Sequence, residues 1–279
     1  MNILNAIKLG SNLLKEKRIA SYILDSEILL SKILNKSREE ILINLDQKIN
    51  KKKVSAFRKY LSRRSKNEPV AYILEEKEFW SKKFKVNKNT LIPRPETELL
   101  VEKVSKIFNG KKISILDIGT GSGCIIISLL SNLKESYGIG IDISKHAILI
   151  AKKNAHKFNL SNRVKFYNKC INNIFTKKFD LIVSNPPYIK RKDIKNLSND
   201  IKIYEPRMAL DGGNDGLDLI KKVIYKSKYI LKIKGTLALE IGNEQIKKVS
   251  KILIDNNFRV KQVTKDYKNN VRCLIAYYN

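Results

Sequence analysis

The chain has 279 residues, 43% of them hydrophobic and 30% charged. At about 150 residues per domain this amounts to roughly two globular domains with a sizeable core, which excludes a peptide or a lone small module. The formal net charge is +29, from 56 Lys and Arg against 27 Asp and Glu, a balance that by itself suggests an anionic partner such as nucleic acid.

The distribution of that charge argues for a compositional origin. The basic residues are mostly Lys, travel with many Asn and Ile, and are spread along the whole chain; only Lys51-Lys52-Lys53 and Arg63-Arg64 form clusters, which read equally well as solvated helix faces or phosphate contacts. No apolar run approaches the ~20 residues of a membrane span, and the N-terminus MNILNAIKLGSNLLKEK has a helical rhythm without the apolar core of a leader. A cytoplasmic protein is expected. Cys124, Cys170 and Cys273 are too few and too scattered for a disulfide framework or a zinc site, and His146 and His156 fall on different faces of one predicted helix, so no metal is expected.

From Ile3 to about Glu68 apolar residues recur at helical spacing, including Ile23, Ile28, Leu30, Ile33 and Leu34. Ser37-Arg38-Glu39-Glu40 has the form of a capping box, which predicts a helix start ahead of Ile41. Pro69 is expected to end the helical stretch. Lys77 to Val86 alternates around a polar turn and predicts a β-hairpin. The expected organisation is a helical domain over 1–75, a hairpin linker over 76–90 and a second domain over 91–279.

After Thr90 the period changes. Ile113–Leu116, Gly138–Ile141 and Phe179–Val183 are short apolar strands separated by stretches of helical length, and Thr236–Ile241 and Val271–Tyr278 add two more. This alternation predicts an α/β domain whose mostly parallel sheet is covered on both faces. The last two strands are expected to form an antiparallel hairpin at one edge.

Asp117-Ile118-Gly119-Thr120-Gly121-Ser122-Gly123 follows the first of these strands and precedes a helical run. Glycines at such a junction let backbone approach a ligand at the carboxyl end of a strand. The spacing is neither that of a dinucleotide fingerprint nor that of a phosphate loop. Asp142 ends the next strand about 20 residues on, where such folds place a carboxylate on ribose hydroxyls; a helix N-cap is its other reading. Adenosine without phosphate points to S-adenosylmethionine, held by Gly119, Thr120, Gly121, Ser122, Gly123 and Asp142.

Asn185-Pro186-Pro187-Tyr188 follows the strand that ends at Ser184. Two prolines fix an extended path and remove two donors, which leaves carbonyls as free acceptors. A planar nitrogen with two hydrogens, in an amide or an exocyclic amine, can give one to the Asn185 side-chain oxygen and one to the Pro186 carbonyl. Both contacts orient it for methyl transfer, and Tyr188 offers an aromatic face. Asn185, Pro186 and Tyr188 are therefore the candidate catalytic residues, and Asn185, Pro186, Pro187 and Tyr188 the candidate substrate contacts.

With these motifs in place, and with Glu78-Phe79-Trp80, the segment Leu91-Ile92-Pro93-Arg94-Pro95-Glu96-Thr97-Glu98, Glu205-Pro206-Arg207 and Leu210 to Gly216, nearly the whole chain resembles the N5-glutamine methyltransferases that modify peptide chain release factors. The Leu91–Glu98 segment discriminates, because Asn-Pro-Pro-Tyr is shared with nucleic acid amino-methyltransferases. The resemblance implies a Rossmann-like S-adenosylmethionine-dependent methyltransferase domain after a small helical domain. It also implies methylation of the glutamine in a Gly-Gly-Gln tip of a release factor, with nucleic acid not required, and a role for Asn185 toward cofactor as well as glutamine. Near the cofactor adenine such enzymes usually carry an acidic residue followed by a hydrophobic or aromatic one; here Lys169 and Cys170 align, so Cys170 takes the adenine position. Arg94 and Glu96 line the cleft or form a rigid join. Two other functions compete: a DNA or RNA amino-methyltransferase acting on a flipped base, against which no target-recognition domain follows the motif, and a nucleic-acid-binding module without chemistry, against which Gly119, Gly121, Gly123, Asp142 and Asn185 are all intact.

Overall fold

The computed structural model describes residues 1–172 and 178–279. In chain order its elements are α1 (Ile3–Glu16), α2 (Tyr22–Leu34), α3 (Arg38–Ile43), α4 (Lys51–Arg64), α5 (Val70–Ile73), β1 (Glu76–Phe79), β2 (Lys82–Lys85), α6 (Glu98–Ile107), β3 (Ser114–Ile118), α7 (Cys124–Asn132), β4 (Tyr137–Asp142) and α8 (Lys145–Lys157). They continue with β5 (Val164–Asn168), β6 (Phe179–Ser184), α9 (Asn199–Tyr204), α10 (Asp218–Ile230), β7 (Leu231–Glu240), α11 (Ile246–Asp255), β8 (Phe258–Lys265) and β9 (Val271–Tyr278). Two compact units result: Met1–Glu76 with Ser198–Tyr204, and Lys77–Leu197 with Glu205–Asn279.

The first unit is helical, as the apolar spacing requires. Local chemistry starts its helices: Asn2 and Asn50 accept from the third residue beyond them, and Ser37 and Glu40 form the expected reciprocal capping box. Ile3, Leu14, Leu29, Leu30, Ile41, Phe57 and Leu61 fill its core. Pro69 does not end the helical region, because it stands as the N-cap of α5. Ahead of a first turn its missing N–H has no intrahelical acceptor to lose. From far along the chain, Tyr204 joins this unit and donates its hydroxyl to the Lys66 carbonyl at 2.9 Å.

In the second unit, β1 and β2 form the predicted hairpin, turned by Trp80 and Ser81 at φ 52° and 53°. A two-residue turn with both φ positive matches the strand twist, although non-glycine residues adopt it at a cost. Anchors offset that cost: Trp80 N–H donates to Glu98 and its indole N–H to Asn132. Asn154, fully buried, both accepts from and donates to the Lys85 backbone and also donates to the Ser122 carbonyl, so β2 is fastened to the glycine turn.

Seven strands form the main sheet in the order β5-β4-β3-β6-β7-β9-β8, with β5 to β7 parallel and β9 and β8 antiparallel. Alternate strand residues feed two cores. Ile115, Leu181 and Val183 pack with α6, α7 and α8 on one face; Leu116, Ile182, Leu237 and Leu239 pack with α10 and α11 on the other. The antiparallel hairpin at the edge is β8 with β9. The pair expected there, Thr236–Ile241 with Val271–Tyr278, is antiparallel as β7 with β9 but is not a hairpin, because α11 and β8 lie between them in the chain and β8 takes the edge. β5 and β8 have no continuous apolar run because both are edge strands with one largely exposed face.

In the first unit Arg64 binds Asp25 at 2.6 Å with both side chains only 9% exposed, whereas the neighbouring Arg63–Glu68 pair is 44% and 19% exposed. Removing one partner of a buried pair strands a charge, while an exposed pair contributes little. Arg64→Ala is expected to cost about 3–5 kcal/mol in urea unfolding and Arg63→Ala at most about 1 kcal/mol; equal effects would contradict this division.

Candidate active site

The chain builds outward from β3 through β4 to β5, then returns to lay β6 on the other side of β3. Such a reversal opens a crevice at the carboxyl ends of the two strands, where open α/β sheets bind ligands. Here β3 and β6 pair with Ile118 opposite Ser184, and the Ser184 hydroxyl donates to the Ile118 carbonyl at 2.7 Å. The two motifs singled out in the sequence, residues 119–123 and 185–188, therefore leave the sheet side by side.

The glycine turn is pinned from below. Gly119 N–H and Thr120 N–H both donate to the Ile141 carbonyl of β4, at 2.9 and 3.0 Å. Gly119 and Gly121 take φ of 72° and 55°, and a Cβ added to Gly119 would meet nothing within 4 Å, nor would one on Gly121 except the Gly119 carbonyl at 4.0 Å. Their open side is a cradle of bare backbone. Gly123 differs, since a Cβ there would lie 2.9 Å from Ile127 and 3.3 Å from Ala151, and it is needed for helix packing. The Thr120 and Ser122 side chains are buried, so backbone is what these two residues can offer a ligand. The Thr120 hydroxyl donates to Asp117 at 2.7 Å; Asp117 is fully buried, its Oδ1 has no partner among the described residues, and burial raises its carboxyl to about 7.

Asp142 closes the cradle at the end of β4. Its Oδ2 accepts from Gly121 N–H at 2.9 Å and its Oδ1 from Ser144 N–H at 2.8 Å. The helix cap is Ser144, whose hydroxyl accepts from Ala147 N–H, so capping α8 does not account for Asp142. Each carboxylate oxygen keeps a lone pair for a diol. Lys169 N–H donates to the Asp142 carbonyl, and Cys170, half-buried, packs against the cluster that contains Ile118 and Ile141. The residues present thus fit an adenosine-bearing ligand: glycine backbone with open space beside it, a carboxylate with free lone pairs and an apolar flank.

Beyond β6, Asn185 is half-buried and donates Nδ2–H to Thr97 Oγ1 at 3.2 Å. The Thr97 hydroxyl donates to Glu240 Oε2 at 2.6 Å, and the Tyr188 hydroxyl to Glu240 Oε1 at 3.3 Å. Glu240 is 2% exposed, and burial raises its carboxyl to about 7 despite these donors and nearby Arg272. Burial and the Glu240 charge push the Tyr188 phenol upward as well. No donor among the described residues reaches Asn185 Oδ1 or the Pro186 carbonyl.

The Tyr188 backbone is enclosed by the 210–216 loop: Gln245 Nε2–H donates to both the Tyr188 and Gly216 carbonyls, and a Cβ on Gly216 would stand 2.5 Å from the Tyr188 carbonyl oxygen. Arg94 pairs at 2.5 Å with Glu205, which also accepts from Ile92 N–H, so this arginine is a join within the second unit. His146 and His156 are exposed on α8. Among the described residues no group of His, Cys, Asp and Glu could hold a metal ion, and no helix is long and apolar enough to cross a membrane. Thr97, Glu240, Gln245 and Asn154 are the site's supports that sequence reading passes over. Two of them carried a signal: Thr97 lies in the discriminating Leu91–Glu98 segment, and Glu240 is a carboxylate near the end of a predicted strand.

The chain is similar to known proteins along most of its length. Residues 5–74 match the family described as PrmC N-terminal domain, and residues 95–210 the Methyltransferase small domain. A methyltransferase crystal structure from Pyrococcus furiosus covers 70% of this chain and 87% of its own at TM-score 0.53 and 19% identity, which establishes the Rossmann-like methyltransferase fold. The bifunctional methyltransferase of Rickettsia conorii is 39% identical over 92% of this chain and 54% of its own length, so the chain spans about half of that relative. The release factor glutamine methyltransferase of Clostridium acetobutylicum is 38% identical over 99% of this chain and 98% of its own length. Similarity that runs from the helical unit through the paired motifs to the last strand means that the chain belongs to the release factor glutamine methyltransferase family.

Proposed function

We propose that this chain transfers a methyl group from S-adenosylmethionine to the side-chain amide nitrogen of the glutamine in the Gly-Gly-Gln motif of peptide chain release factors. The observation that carries this reading is the polarity of Asn185: its Nδ2–H is committed to Thr97, and among the described residues neither its Oδ1 nor the carbonyl of the next residue, Pro186, accepts a hydrogen bond. Two acceptors suit a nitrogen with two hydrogens; a carbonyl oxygen is repelled by both, and a hydroxyl can satisfy only one of them. Family membership selects a glutamine amide over a nucleobase amine.

The backbone of Gly119, Thr120, Gly121, Ser122 and Gly123 would hold the cofactor, with Asp142 on its ribose, Cys170 toward its adenine and Asn185 beside its reacting end. When bound, S-adenosylmethionine supplies an electrophilic methyl on a sulfonium centre. The protein's own part is orientation. An amide nitrogen is a poor nucleophile because its lone pair is delocalised; Asn185 Oδ1 and the Pro186 carbonyl accept from its two N–H groups, turn its face and stabilise the positive charge that develops on nitrogen as the methyl arrives. Alignment of this kind can lower a barrier by up to about 7–11 kcal/mol. Pro187 and Tyr188 form the wall of the slot, with the Tyr188 ring as a flat surface. Neither acceptor takes the proton permanently, and it leaves to solvent water once the nitrogen has been alkylated.

Three measurements test the reading. Labelled methyl is expected on an intact release factor and absent from its Gln→Ala tip variant; label on duplex DNA instead would assign the activity to nucleobase amines. Asp142→Ala should weaken S-adenosylmethionine binding in calorimetry by about ten-fold or more, the loss of one to two hydrogen bonds to a charged group, and unchanged affinity would remove Asp142 from the ribose. Asn185→Ala should keep most cofactor affinity while kcat falls by about 100-fold, the scale of losing one preorganised polar contact; near wild-type turnover would overturn the two-acceptor arrangement.

A further inference from the structure

A carboxamide is polar in opposite senses at its two ends, and rotation by half a turn exchanges them with little change of shape. The slot works only if Asn185 presents oxygen. Nothing in Asn185 itself enforces that choice, so it must come from what the other end touches.

That partner is the Thr97 hydroxyl, which has one hydrogen and can face Asn185 either as donor or as acceptor. Its hydrogen is taken by Glu240 Oε2 at 2.6 Å, and its oxygen accepts from Asn185 Nδ2–H at 3.2 Å. An ionised carboxylate only accepts. We propose that Thr97 and Glu240 are positioning residues that set the polarity of the Asn185 side chain, Glu240 fixing the Thr97 hydroxyl as an acceptor so that Oδ1 faces the nitrogen to be methylated. The inference rests on the proposed role of Asn185 and adds what orients it. The same carboxylate takes the Tyr188 hydroxyl at Oε1, so one buried group orders both side chains of the motif.

The relay has a reverse state. A protonated Glu240 can donate to Thr97, whose hydrogen then turns toward Asn185 and draws Oδ1 away from the slot, leaving N–H groups opposed to the N–H groups of the substrate. The groups around Glu240 are Tyr188, Arg272 on β9, Glu96 ahead of α6, Cys273 opposite it in the β7–β9 register and Cys124 of α7. Burial keeps both thiols protonated, up at about 12, and Arg272 favours the charged carboxylate. Asp117, also raised to about 7, lies under the glycine turn and has no bond to this relay.

The test is methyl transfer by the full chain to a release factor at saturating substrates. Thr97→Val should lower kcat by about ten-fold or more, equivalent to one hydrogen bond to a polar partner, with calorimetric S-adenosylmethionine affinity retained, and Thr97→Ser should restore most of the rate. Wild-type kcat should fall as the pH drops through about 7, and this limb should vanish in Glu240→Gln, whose carboxamide cannot ionise, while any contribution of Asp117 persists. Wild-type kcat in Thr97→Val, no rescue by Thr97→Ser, or an unchanged acid limb in Glu240→Gln would each overturn the relay. If Asn185→Ala is inactive and Thr97→Val is not, the relay alone falls; if Asn185→Ala also turns over normally, or the wild type transfers no methyl, the reading of the site falls with it.

Discussion

The pairing of β3 with β6 is the constraint on which the site depends. These strands are far apart in sequence and adjacent only because the chain reverses its direction of winding after β5. Parallel register puts Ile118 opposite Ser184, and the bond between them joins the last residues before each loop. A slip of one residue would reverse the faces of β6 and send Ile182 and Val183 to the wrong cores. Because both faces of the sheet are buried, packing energy on each side enforces the register, and the two loops inherit their separation from it.

Burial that fixes the register also raises the cost of charge at the strand ends. Asp117 and Glu240 end inward-facing stretches and are held near about 7 instead of in the usual carboxylate range. A carboxyl bound more tightly to its proton in the folded state stabilises that state fully below its unfolded pKa, and the contribution declines as pH rises through the folded one. The second unit therefore accepts lower stability above neutrality in return for acceptor-only groups where Thr120, Thr97 and Tyr188 need to donate. Marginal stability concentrated at a site is common where function demands particular polar geometry.

Much of this was legible in the residues. The capping box at Ser37, the hairpin around Trp80 and the glycine turn after an apolar strand each have a local cause, and the neighbours in sequence supply it. Pro69 was misleading because a proline that stops one helix can also start another, and the residues after it decide between the two. β5 and β8 were silent because an edge strand buries one face only. The supports of the site were hidden for a different reason: Thr97 reaches Glu240 across 143 positions and Asn154 reaches Lys85 across 69, and a threonine or asparagine carries no pattern that announces such a partner. Cys170 packs against the cluster that contains Ile118 and Ile141, and an isolated cysteine does not reveal from sequence what packs against it.

Gln245 spans the carbonyls of Tyr188 and Gly216, and a side chain at position 216 would collide with the Tyr188 carbonyl, so the two backbones lie close together. A segment clasped from two sides has little conformational entropy left to lose when something docks against it. For the substrate proposed above, the ordering cost of association would then fall on the incoming chain, whose two glycines have more freedom to surrender than almost any other residues. On that reading the Tyr188 backbone is a rigid template, and the adaptability of the encounter resides in the guest.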